Sequence, residues 1–147
     1  SMEKMVEKLN QLLADLNVFY RKLQNYHWNI IGKDFFVLHA KLEEYYDEVN
    51  DEIDEIAEHI LTLGKQPLGT MKDYIEISKI KEASNNKVED NIVIENITKD
   101  YKTLLQDIIT IKKEADEHHI FGTSALMDEY ILKYSKTKWK IKQIRQK

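Results

Sequence analysis

The chain has 147 residues, 42% of them hydrophobic, no cysteine and a formal net charge of −4. That length suits a single domain, residues 2–147, burying roughly two-thirds of its unfolded surface, and the missing cysteine excludes a disulfide framework and thiolate metal sites while agreeing with a reducing compartment. The charge is opposite in sign to a nucleic-acid footprint, no run approaches the ~18 apolar residues of a membrane span and no signal peptide opens the sequence, so it reads as soluble and cytoplasmic.

Ser1 ahead of Met2 reads as an added residue and is set aside. From Val6 to Ile30, apolar residues recur at Val6, Leu9, Leu13, Leu16, Tyr20, Leu23 and Ile30, the period of a long amphipathic helix. Gly32-Lys33-Asp34 breaks it. A second helix, about Phe35 to Leu63, carries a core stripe of Leu38, Leu42, Tyr45, Val49, Ile53, Ile56, Ile60 and Leu63. Gly64, Pro67 and Gly69 stop that helix, and a mixed segment runs to Asn86 with a short helix around Met71 to Ile77 after Thr70. A third long helix is predicted from about Glu89 to Glu117, on Ile94, Ile97, Tyr101, Leu104, Ile108, Ile111 and Ala115. Thr123 is the expected N-cap of a fourth, carrying Leu126, Tyr130, Tyr134, Ile141 and Ile144. There are no repeats and no strand alternation. The pattern is all-α, and the long link between helices 2 and 3 carries the chain back across the bundle, as in ferritin-like four-helix folds.

Histidines and acids on the first hairpin have metal-ligand character. His27 closes the first helix, and His39, Glu43, Asp54 and Glu58 fall at roughly 60°, 100°, 120° and 160° from Leu42 at ~100° per residue, one flank of the second. That flank lies roughly 130° from the core stripe at the same pitch. One helix cannot close a site, because His39 and Glu58 are about 28 Å apart at ~1.5 Å per residue, whereas ligands sit within about 2–2.5 Å of a metal. Both pairs, His39 with Glu58 and Glu43 with Asp54, are centred on Glu48 and Val49. Two copies packed antiparallel about a two-fold axis there would set His39 against Glu58 and Glu43 against Asp54, the self-complementarity of an isologous interface. His27 would join His39 and Glu43 of its own chain. An acid-rich helix face is ordinarily solvated and a lone histidine ordinarily a bystander, but Tyr46, Ala57 and Leu61 on the same flank argue for a cover. Iron, zinc and manganese all suit such a donor set. No glutamate has a histidine three residues on, so a di-iron centre inside one bundle is not expected.

The run NYHW, His39 twelve residues after His27, and DEIAEHI together resemble the Dps family of mini-ferritins, DNA-binding proteins from starved cells. The resemblance extends over nearly the whole chain, through Pro67 to Trp139. It implies a ferroxidase centre between two-fold-related subunits, with His27, His39 and Glu43 from one and Asp54 and Glu58 from the other, Glu58 bridging. Two Fe(II) ions would each give an electron to hydrogen peroxide, and ferric mineral would collect in a twelve-subunit shell, protecting against oxidative stress; zinc or manganese could substitute for iron. The chain departs from the family in having Glu43 where Asp is usual and His59 where Arg is usual.

Elsewhere the sequence gives weaker signals. Lys133, Lys136, Lys138, Lys140, Lys142, Arg145 and Lys147 suit the polar face and C-terminal end of the last helix. They also leave open an architectural DNA-binding shell with a secondary metal site, although DNA-compacting relatives commonly carry a Lys-rich tail before the first helix and only SMEK stands here. A plain helical assembly protein without metal is the third reading. His118 and His119 are expected at a solvated helix end, in a region that lines three-fold pores in the family, where Asp116 and Asp128 are the acids left to draw iron. Trp28 could give an electron to a stray oxidant or pack at the hairpin. Trp139 is expected in the core.

Overall fold

The structure, a computed structural model, describes residues 1–144. Arg145 and Lys147 of the basic cluster lie outside them. Four long helices are present: α1 (Met2–Asn29), α2 (Phe35–Thr62), α4 (Asp90–Glu117) and α5 (Phe121–Lys142), with the short α3 (Met71–Ile77) in the crossover. α1 packs on α2 and α4, and α4 on α5. This is the ferritin-like bundle with a short helix in the long connection. Two-residue strands β1 (Ile30–Ile31) and β2 (Val88–Glu89) pair in parallel, Ile30 opposite Val88. A parallel pair needs a crossover; here it comprises α2 and the segment from Leu63 to Lys87, and it sets α4 against α1.

The apolar stripes become the core. Every residue of the α4 stripe is buried, as are Val6, Leu9, Leu13, Leu16, Leu23 and Ile30 of the first. Phe19 and Tyr101 meet edge to face at 5.0 Å between α1 and α4. Truncating a fully buried Leu13 to Ala would cost about 2–5 kcal/mol. Tyr45, Ile53, Leu63, Leu126 and Ile144 are only partly buried, at the margin of the core. Trp139 does not enter it: the ring is 60% exposed, because Ile141 and Tyr134 hold the inward face of α5 and leave Trp139 on the outer one.

Helix ends explain how the hairpins turn. Thr70 caps α3, accepting from the Asp73 amide at 3.2 Å. Thr123 does not cap α5, which begins at Phe121 after Ile120; it is fully buried inside the helix, 2.7 Å from His59 Nε2 across on α2. α5 can start this early because His119 turns left-handed (φ 57) and Ile120 N returns to Ala115 O at 2.8 Å, a Schellman closure. Gly64 (φ 75) closes α2 the same way, Lys65 N reaching Ile60 O. Between α1 and α2, Gly32 (φ 127) passes over Asp90, whose Oδ2 accepts from Asp34 N at 3.0 Å. A buried acid at the start of α4 thus holds the hairpin on which the histidines sit.

Candidate metal centre

The end of α1 and the first turns of α2 bring His27 and His39 into parallel stacking, with ring centroids 3.8 Å apart and an interplanar angle of 10°. Each Nδ1 lies against the other residue's backbone carbonyl: His27 Nδ1 is 2.6 Å from His39 O, and His39 Nδ1 2.7 Å from His27 O. A carbonyl only accepts, so Nδ1 carries the proton in both rings and Nε2 is left for a metal. His27 O belongs to the last turn of α1, where carbonyls lack helical partners, so this bond also satisfies an orphaned acceptor. His27 is buried, and its Nε2 lies 3.8 Å from Glu43 Oε1. Phe35 stacks on His39 at 5.0 Å, and Tyr46 stands edge-on to His27 at 5.5 Å. Two oriented imidazoles beside a carboxylate fit a transition-metal ion: a carbonyl bond on the distal nitrogen is how ligating histidines are fixed.

Asp54 and Glu58 are exposed farther along α2. They border an open groove of about 650 Å³ with Asp51, Glu55, His59 and Glu129. Within one chain Asp54 stands about 22 Å along the axis from His39, at ~1.5 Å per residue. The structure therefore brings together three of the five expected residues and holds the other two on the same helix, pointing away from the core. Burial lowers the proton affinity of His59, partly countered by Glu55. Trp28 lies outside the core at 55% exposure, with the Arg21 guanidinium 5.9 Å from its ring.

The one trio of His and acid side chains whose ligand atoms all approach within 4.8 Å, among the described residues, is elsewhere: Glu114, Glu117 and His118 at the end of α4. The Ser1 ammonium already sits there, 3.1 Å from Glu114 Oε1 and 2.9 Å from His118 Nε2. His118 and His119 are exposed at a helix end, as expected. Asp116 and Asp128 are both engaged by Lys112, at 3.5 and 2.9 Å.

Sequence reading missed a second set of polar residues, those inside the bundle. Glu52 is 2% exposed, accepting from Tyr134 Oη and, at 2.9 Å, from Lys133 Nζ; burial raises its proton affinity against both. Tyr130 donates to Glu55. Lys22 meets Asp100 at 2.8 Å, and Asp15 and Asp107 are buried beneath Lys79. Spacing could have found them, since Glu52 falls between Val49 and Ile56 on the α2 stripe.

A bundle of four long helices with one crossover, presenting imidazoles and carboxylates from its first hairpin, defines a ferritin-like protein. Residues 6–147 match the family model described as a ferritin-like domain. The chain is 45% identical over 106 residues to the DNA protection during starvation protein 2 of Bacillus anthracis, covering 72% of each. Among solved structures it is similar to a Dps protein of Vibrio cholerae, described as a member of a broad superfamily of ferritin-like diiron-carboxylate proteins. The TM-score is 0.92 at 38% identity, over 96% of this chain and 88% of that one. Antigen TpF1 of Treponema pallidum superposes with a TM-score of 0.93 at 31% identity, over 95% and 90% of the two chains. The chain belongs to the Dps family. No helix among the described residues is long and apolar enough to cross a membrane.

Proposed function

We propose that the protein is a ferroxidase that detoxifies and stores iron, with its site shared between two-fold-related subunits of a dodecameric shell. His27, His39 and Glu43 come from one subunit, and Asp54 and Glu58 from its mate. The observation that carries this reading is the reciprocal imidazole-to-carbonyl lock, which leaves both Nε2 atoms as donors, that of His27 3.8 Å from the Glu43 carboxylate. Fe(II) is the substrate. Two Fe(II), one hydrogen peroxide and two protons give two Fe(III) and two waters, each iron supplying one electron to the O–O bond. Hard carboxylate oxygens favour the ferric product. Phe35 and Tyr46 cover the imidazole faces and hold them in place while Glu43, 56% exposed, adjusts its longer side chain to the ion. Zinc or manganese would fit the same donors.

The architectural DNA-binding reading draws on relatives such as that of Bacillus anthracis, named for DNA protection. The terminal lysines offer it less than their number suggests, since Lys133 turns inward to Glu52. The deciding measurement is peroxide-driven Fe(II) oxidation under anaerobic conditions, comparing the native chain with the Asp54→Ala, Glu58→Ala double variant at matched assembly size. Fast turnover lost in the variant is expected. Equal rates would remove the proposed site.

A further inference from the structure

A second concave site lies away from the hairpin, where the crossover passes over α1 and α4. Its cavity of about 550 Å³ is walled by Lys22 and Tyr26 of α1, Lys79 and Lys81 of the crossover, and Lys99 and Asp100 of α4. In volume this is a small-ligand pocket. Its charge runs against the molecule: four lysines line it and only two acids, Glu82 and Asp100, whereas the chain has 22 basic and 26 acidic residues.

The floor is already neutralised. Lys22, 8% exposed, is paired with Asp100 at 2.8 Å, and Lys79 turns away to Asp107. Lys81 and Lys99 form no ion pair among the described residues, and they reach the cavity from two different elements. Asn96 is oriented by donating to Tyr26 Oη at 3.0 Å, and the crossover wall is fixed by Asn25 Nδ2 donating to Ala83 O and Ser84 O at 3.2 and 3.1 Å. The walls are thus held in place without Lys81 or Lys99. Ammonium groups in a low-dielectric concavity focus potential on an anion, and lysine binds phosphate as a point charge.

We infer that this cavity binds a small anion carrying two or more phosphate groups, gripped by Lys81 and Lys99 over the Lys22–Asp100 pair. The two ammonium groups stand on separate elements, the crossover and α4, around a volume larger than one phosphate, which suits a chain of linked phosphates. A DNA duplex offers its phosphates on a convex cylinder, which is too broad to enter a cavity of about 550 Å³.

The probe is inorganic tripolyphosphate, titrated calorimetrically into assembled iron-free protein at low salt. Saturable uptake near one per chain is expected, weakened about tenfold or more in the Lys81→Gln, Lys99→Gln double variant and weakening with added salt. Asp54→Ala, Glu58→Ala protein should bind normally, which separates this site from the proposed ferroxidase centre. Bound tripolyphosphate should also shield Lys81 and Lys99, but not Lys72 on α3, from amine acylation read by mass spectrometry. No uptake, equal uptake by the lysine variant with its assembly intact, or no shielding would overturn the inference. So would a duplex oligonucleotide whose retention needs the same two lysines while tripolyphosphate fails to bind.

Discussion

His27 and His39 fix each other, and the economy of that arrangement is visible only in three dimensions. The sequence shows two imidazoles twelve residues apart across a Gly-Lys-Asp break, enough to place them at one level of a hairpin. Glu43 follows from being one turn beyond His39. That each ring uses the other's carbonyl is a property of helix phase and loop length together, which residue types do not encode singly. The same scale holds one position at odds with its residue. His119 occupies the left-handed C′ position of α4, where glycine is usual and a side chain costs about 1 kcal/mol. His119→Gly should therefore raise the stability by about 1 kcal/mol, read from urea unfolding at neutral pH. A loss of stability would show that the imidazole contributes more than the strain it carries.

Among the elements, the long helices and even the bounds of α3 were legible because period and capping residue agree, as at Thr70 and Met71–Ile77. The buried polar residues were not, although they follow the same period. Asp100, Asp107 and Glu114 stand seven apart on the α4 stripe with Ile97, Leu104 and Ile111, and an apolar template passes over them. They matter for the crossover. Asp15 accepts from Ser78 Oγ at 2.8 Å and Lys79 N at 2.7 Å, clipping residues 78–79 to α1 above Asp107. Burial, then the bond to Asp15, raises the Asp107 carboxyl from 3.8 to about 8, with Lys79 opposing. Between those limits the folded chain keeps a proton that the unfolded chain has released, so this group's contribution is full below pH ~4 and is lost as pH rises toward 8. Asp107→Asn should remove that part of the decline, and urea midpoints from pH 5 to 8, native against variant at equal assembly size, would reveal it. A parallel pair of curves would assign the decline to other groups. The first hairpin has its own requirement. A Cβ on Gly32 would stand 2.4 Å from Asp90 Oδ2 at a backbone angle closed to L-residues, while Asp90 is tied to Asp34 N and Asn91 N. Gly32→Ala should cost roughly 3 kcal/mol or more and loosen the imidazole pair, read as a lower melting temperature and weaker Zn(II) uptake.

At the scale of the whole molecule, α2 carries an incomplete site at each end of a pseudo-symmetric sequence. His39 and Glu43 lie on one side of Val49 and Asp54 and Glu58 on the other, all on the flank of α2 turned from its core stripe, with His27 of α1 stacked on His39. Neither half fulfils a metal's demand within one chain, because the distance along a rigid helix cannot be shortened. Symmetry can supply what folding cannot: in the proposed assembly an isologous contact across α2 would generate two equivalent sites, each taking donors from both chains. This can be tested without a structure of the assembly. One variant, His27→Ala with His39→Ala, lacks the first donor set, and another, Asp54→Ala with Glu58→Ala, lacks the second, so neither alone should oxidise Fe(II) rapidly. Co-assembled in equal amounts, random pairing places the two together in about half of the dimers, and each such dimer regains one intact site of two. Roughly a quarter of native peroxide-driven activity should return, and it should vanish when the preformed variant shells are merely mixed. If co-assembly restores nothing although both chains are present in every shell, the donors are not shared across the two-fold axis.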